Sequence, residues 1–67
     1  MANVPIERNS RKILARLLRE GWSVVSIEGS HHKLAHPKHA HKIVLVHPKK
    51  DLPIGTARQV RKAARWL

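Results

Sequence analysis

The stretch Trp22-Ser23-Val24-Val25-Ser26-Ile27-Glu28-Gly29-Ser30-His31-His32-Lys33-Leu34-Ala35-His36-Pro37 holds two strand signals around a turn. Residues 22–28 are rich in β-branched side chains (Val24, Val25, Ile27) and stop at Gly29-Ser30, a turn pair. Residues 31–36 read as a second strand. Pro37 ends it, because proline has no N–H to offer a ladder. After a hairpin connection over 37–41, Lys42 to His47 reads as a third strand, built on Ile43-Val44-Leu45-Val46. Three short strands with such brief links pair as an antiparallel meander.

Each flank of the meander reads as a helix. Asn9-Ser10 is an N-cap signal, and Ile13, Leu14, Leu17 and Leu18 recur at helical spacing. The pattern predicts a helix from Ser10 to Glu20, with Gly21 leaving it in the left-handed conformation. On the other flank, Pro48 to Gly55 is a polar loop and Thr56 is the expected cap. Ala57, Val60, Ala64 and Leu67 then form an apolar stripe, with Arg58, Arg61, Lys62 and Arg65 opposite at i, i+3, i+4 and i+7. This second helix is expected to run to the C-terminus. The order is α-β-β-β-α, an α+β fold. Both amphipathic helices find cover by packing on one sheet face, which leaves the other face to solvent. That is the layout of a double-stranded-RNA-binding-domain-like fold, which by itself assigns no function.

Composition narrows the classes further. The chain has 67 residues, 14 Lys plus Arg against 4 Asp plus Glu, a net charge of +10, six His and no Cys. So short a chain is one domain, expected over 1–67 with residues 1–9 as a flexible extension. Without Cys there is no disulfide framework, thiolate zinc site or thiol nucleophile. No apolar run is long enough for a membrane span, and Met1-Ala2-Asn3-Val4-Pro5 lacks the features of a secretory signal. A cytoplasmic protein with a polyanionic partner is expected, nucleic acid first among the candidates.

Three segments taken in order carry more specific information. Gly21-Trp22 follows the first helix, and Gly29-Ser30-His31 through His36-Pro37 forms the central corner and strand. Then His47-Pro48-Lys49-Lys50-Asp51-Leu52-Pro53-Ile54-Gly55-Thr56 opens the last helix. Together they resemble the HicA family of bacterial toxins, small mRNA interferases of HicA–HicB toxin–antitoxin pairs, across roughly Ser10 to Ala64. The resemblance implies endoribonuclease activity on mRNA, no metal and no other cofactor, and a HicB-like antitoxin that masks the site. It also implies one catalytic His, which the Gly29-Ser30 pair places at His31. Gly29, Ser30, Gly55 and Thr56 are the motif positions. The chain departs from the family at Ala35, where Lys is frequent, and at Ala63-Ala64-Arg65-Trp66-Leu67, where Ala-Gly-Leu is common.

The residues themselves agree with that position. Strand alternation around an inward Leu34 sends His32 and His36 inward, and turns His31, Lys33 and Ala35 to the open face. RNA supplies its own nucleophile, the 2′-hydroxyl. Cleavage then needs a group to move a proton and cations to steady the phosphorane. Imidazole ionises near neutrality and can serve as base or acid, and both roles stay open for His31. Lys33, Lys49 and Lys50 are the expected phosphate contacts, and Arg58, Arg61 and Lys62 a basic rim. Four helical cations without an acid repel one another, which favours a polyanion or an acidic partner on that face. The other five His read as structural or solvated, with His39 and His41 at an exposed hairpin tip and His47 at a strand end. A His-rich tip without Cys is a poor zinc site, and no metal is expected. Asp51 reads as a turn residue that bonds local backbone N–H groups.

Overall fold

The computed structural model describes residues 6–66, in the order α1 (Ser10–Arg19), β1 (Ser23–Glu28), β2 (His31–His36), β3 (His39–Val46) and α2 (Ile54–Ala64). The strands form one antiparallel sheet in the order β1-β2-β3. Both helices pack on one of its faces, as the sequence predicts. Leu34 stands opposite Val24 and Ile43, and His32 opposite Leu45, so these pairs share the helix side. Ile13 and Leu17 of α1, Val60 and Ala64 of α2, and Leu52 of the connecting loop meet them in the core. Of the segment expected as an extension, residues 1–5 lie outside the described residues. Arg8 exchanges two bonds with Leu52: its carbonyl accepts Leu52 N–H at 2.8 Å, and its Nε donates to Leu52 O at 2.6 Å. Its guanidinium also pairs with Asp51 at 3.5 Å.

Both helices end in the same way. At α1, Gly21 adopts φ +101°, its N–H reaches Leu18 O at 3.2 Å, and Trp22 N–H reaches Leu17 O at 3.0 Å. At α2, Arg65 adopts φ 61°, ψ 43°, its N–H reaches Lys62 O at 3.2 Å, and Trp66 N–H reaches Arg61 O at 2.8 Å. These are Schellman closures, which satisfy helix carbonyls by turning the chain left-handed. Each is followed by a tryptophan: Trp22 meets the hairpin histidines, and Trp66 reaches across to Arg16 and Glu20 at α1. Trp22 is buried in the core and Trp66 is half-buried. Glycine takes the left-handed position without strain; Arg65 takes it at a cost of about 1–2 kcal/mol.

Three expectations for the second half need correction. β3 begins at His39, because His36 pairs with His39 across a two-residue turn at Pro37-Lys38. The 37–41 connection is therefore shorter, and His39 and His41 belong to the strand. The gain is physical: their rings meet Trp22 and a helix-end carbonyl that lacks a backbone donor. α2 begins at Ile54 after Pro53, whose carbonyl accepts Ala57 N–H at 3.0 Å. No side chain caps it, and Thr56 lies inside the first turn. Pro53 has a φ of −54° that already suits the helix start. α2 also stops at Ala64, so Arg65 leaves the basic stripe.

Two substitutions test these closures. A Cβ on Gly21 would stand 2.9 Å from His36 Nε2. Gly21→Ala is expected to cost about 2 kcal/mol, from the left-handed backbone and a displaced hydrogen bond. Arg65→Gly is expected to stabilise by about 1 kcal/mol, seen as a higher denaturation midpoint with an unchanged m-value.

Candidate active site

The Gly29-Ser30 corner joins β1 to β2 with φ +60° at Gly29 alone. Glycine at the first of two turn positions matches the type II′ hairpin, whose twist suits the strands it joins. The corner sets Glu28 directly opposite His31. On its other side His31 faces Val46, while Lys33 faces Ser26 and Val44. Register partners share a face, so His31, Lys33, Glu28 and the exposed Val44 stand on the open side of the sheet. His31 and Lys33 are both exposed. Glu28 was not singled out in the sequence, although a two-residue corner fixes its neighbours as a pair.

The end of the sheet is tied to α1. His47 N–H donates to Ser30 O at 2.8 Å, one residue before His31. Ser10, buried at 1% exposure, accepts Lys49 N–H on Oγ at 2.7 Å and lies 2.7 Å from His47 Nδ1. The buried hydroxyl is thus satisfied on both sides, by the Lys49 amide and by the imidazole. The loop so held presents Lys49 and Lys50 to solvent. Helical spacing gave no sign of this contact, which spans 37 residues.

The helical cations stand elsewhere. Arg58 and Lys62 are exposed on α2, and Arg61 is half-buried, donating to Trp66 O at 3.3 Å. They belong to the helical layer, on the far side of the sheet from His31. Gly55 lies in the first turn of α2, where a Cβ would meet open space, and Thr56 beside it is half-buried. Trp66 Nε1 donates to Glu20 at 2.6 Å, and Arg16 donates to the same carboxylate at 3.0 Å while lying 4.1 Å over the indole. Burial pushes the Glu20 carboxyl up, but the bonds from Trp66 and Arg16 outweigh it and leave the group below its ordinary value.

His36, His39 and His41 gather at the opposite end of the sheet. His39 stacks on Trp22 at 4.9 Å, and His36 meets the same indole edge-on at 5.2 Å. His36 Nε2–H donates to Glu20 O at 2.9 Å, and its Nδ1 accepts Lys38 N–H at 3.0 Å. Both ring nitrogens are thus engaged, one as donor and one as acceptor. His41 Nε2–H donates to Ala63 O at 3.0 Å. The hairpin thus clips the last carbonyls of both helices. His32 packs edge-on against His47 at 5.1 Å. Among the described residues no group of three His, Asp or Glu is arranged to hold a metal ion.

The arrangement of helix, glycine-led corner, exposed histidine and basic loop coincides with a family comparison. The HicA toxin of bacterial toxin–antitoxin systems matches residues 10–66. The chain belongs to the HicA toxin family. The match runs from the first residue of α1 to the closure of α2, so it includes every element of the fold. A search of curated proteins gave no match. In this HicA toxin no helix among the described residues is long and apolar enough to cross a membrane.

Of the histidines in this cluster, His39 is held less basic in the fold than in the free side chain. Desolvation against Trp22, then the charges of His36, Arg65 and His41, lower the His39 value. The unfolded chain therefore binds this proton more readily than the folded one. Stability from His39 is complete above the free value of about 6.5 and declines as pH falls below it. His39→Phe, which keeps the stack and removes the titration, is expected to flatten the denaturation midpoint between pH 7 and pH 5.

Proposed function

We propose that this HicA toxin is an endoribonuclease that cleaves mRNA in the cytoplasm, without a metal, and is held in check by a HicB-like antitoxin. The family match over 10–66, with Gly29-Ser30-His31 at an exposed sheet corner, carries this reading. His31 is the acid–base group. The 2′-oxygen of a ribose attacks the adjacent phosphorus as a base takes its proton, and the P–O5′ bond breaks as an acid protonates the 5′-oxygen, leaving a 2′,3′-cyclic phosphate and a 5′-hydroxyl. A single imidazole near neutrality serves either transfer. The ammonium of Lys33, two residues along the same face, steadies the extra charge on phosphorus. Lys49 and Lys50 hold neighbouring phosphates from the loop at the sheet end.

An antitoxin that masks this site must cover the open sheet face. Val44 and Val25, 48% and 54% exposed, give it apolar surface beside the polar corner. Growth arrest on induction follows from loss of translatable mRNA, and co-expressed antitoxin relieves it.

The test uses purified wild-type and His31→Ala protein on a long RNA. Wild type is expected to cleave in the presence of EDTA and to leave 5′-hydroxyl ends. His31→Ala is expected to lose at least about 100-fold in rate, the scale of general acid–base catalysis, with the same circular dichroism spectrum. Intact RNA at stoichiometric wild-type protein, with salt-sensitive binding, would reduce the toxin to an RNA-binding module. A fully active His31→Ala would remove the histidine from the chemistry.

A further inference from the structure

The cations of this protein lie mainly across the sheet from His31. α1 carries Arg11, Lys12, Arg16 and Arg19, α2 carries Arg58, Arg61 and Lys62, and neither helix contains an acid. Among the described residues the ion pairs are Arg8–Asp51 and Arg16–Glu20, so most of this charge is not internally neutralised. Between the helices runs a cleft of about 280 Å³, lined by Lys12, Arg16, Arg19, Arg61 and the indole of Trp66, with Glu7 as its one carboxylate. Arg16 is fixed there by Glu20 and Trp66, so its guanidinium is ordered before any ligand arrives.

A second cleft of about 310 Å³ lies where the start of α1 meets the loop after β3. It is lined by Arg11, His47, Lys49 and Lys50. Its walls are joined by backbone bonds: Ser10 N–H to Lys49 O at 2.9 Å, and His47 N–H to Ser30 O at 2.8 Å. The cations therefore follow one path, from the Gly29-Ser30 corner over Lys49, Lys50 and Arg11 to the groove along α1.

We propose that this path is an extended binding track for single-stranded RNA, which seats nucleotides flanking the bond presented to His31. The inference rests on the endoribonuclease reading for what happens at the corner. Charge complementarity identifies a polyanion. Continuity with the corner identifies it as the RNA itself, since a strand leaving His31 meets Lys49 and Lys50 first. The path turns around the end of the sheet and onto the other side of the molecule. Double helices, stiff over hundreds of ångströms, cannot follow that turn, whereas a single strand can. The toxin thus selects unpaired RNA long enough to reach α1, and grips short fragments only weakly.

The test measures binding in His31→Ala protein, so that cleavage does not interfere. Labelled single-stranded RNAs of about 12 and about 4 nucleotides span the range of single-strand sites. The longer RNA is expected to bind at least tenfold tighter. Lys12→Gln with Arg19→Gln, both exposed residues, is expected to lower the slope of log K against log salt by about 1.4. That corresponds to a loss of roughly 25-fold in affinity at 0.1 M salt for the long RNA. Arg11→Gln with Lys50→Gln is a second variant with the same expectation. Equal affinities for both lengths, or an unchanged slope in both double variants, overturns the track. So does a variant that keeps its RNA affinity but loses a polyglutamate peptide, a result that assigns the groove to an acidic protein. Intact RNA with His31 present overturns the endoribonuclease reading instead, and the binding curves still decide the track.

Discussion

α1 ends where Gly21 turns left-handed, and this turn sets the direction in which Trp22 enters the sheet. The indole fills the end of the core and gives His36, His39 and His41 a surface to pack on, while the backbone N–H of Trp22 closes on Leu17 O. His36 in turn occupies the space where a Gly21 side chain would stand. The β2–β3 hairpin is therefore fixed against both helix ends, by His36 on Glu20 O and His41 on Ala63 O, over the tryptophan that follows the first helix. So small a domain buries little surface, and a few directional contacts of this kind do what a larger core would do by area. The register they fix carries through β2 to the corner at Gly29-Ser30, and hence to the face on which His31 stands.

Much of this architecture was legible in the sequence, because its punctuation is local. Gly21, Gly29-Ser30 and Pro37 mark element ends by backbone chemistry that needs no partner. The apolar spacing of Ile13, Leu14 and Leu17 specifies a helix without knowledge of what it covers. The hairpin tip and the capping of α2 were not legible. His39 and His41 look like solvated tip residues until Trp22 and the Ala63 carbonyl, 22 residues from His41, arrive beside them. Thr56 looks like a cap because its side chain suits one, yet the fixed φ of Pro53 starts the helix three residues earlier.

The candidate site divides along the same line. Alternation around Leu34 puts His31 and Lys33 on one face, and the register agrees. Alternation does not reveal which cations share that side of the molecule. The stripe on α2 looked like a rim for the site, and it lies in the opposite layer. Ser10 and His47 sit 37 residues apart and have no pattern to connect them, but their bond fixes where the Lys49-Lys50 loop begins.

The second Schellman closure lacks the glycine of the first, and this changes what holds the end of α2. Arg65 adds strain to the backbone turn, and the last turn is anchored by side chains: Trp66 to Glu20, Arg16 across the indole, Arg61 to the Trp66 carbonyl. Such an anchor is largely ionic and partly exposed, so salt and acid loosen it while leaving the core intact. The amides of this turn should then open as a separate unit in hydrogen exchange, well below the energy that unfolds Leu34 or Leu45. The groove beside α1 has Arg61 and Trp66 as one wall, so a strand bound there would also hold this turn closed, at some cost in affinity for ordering it.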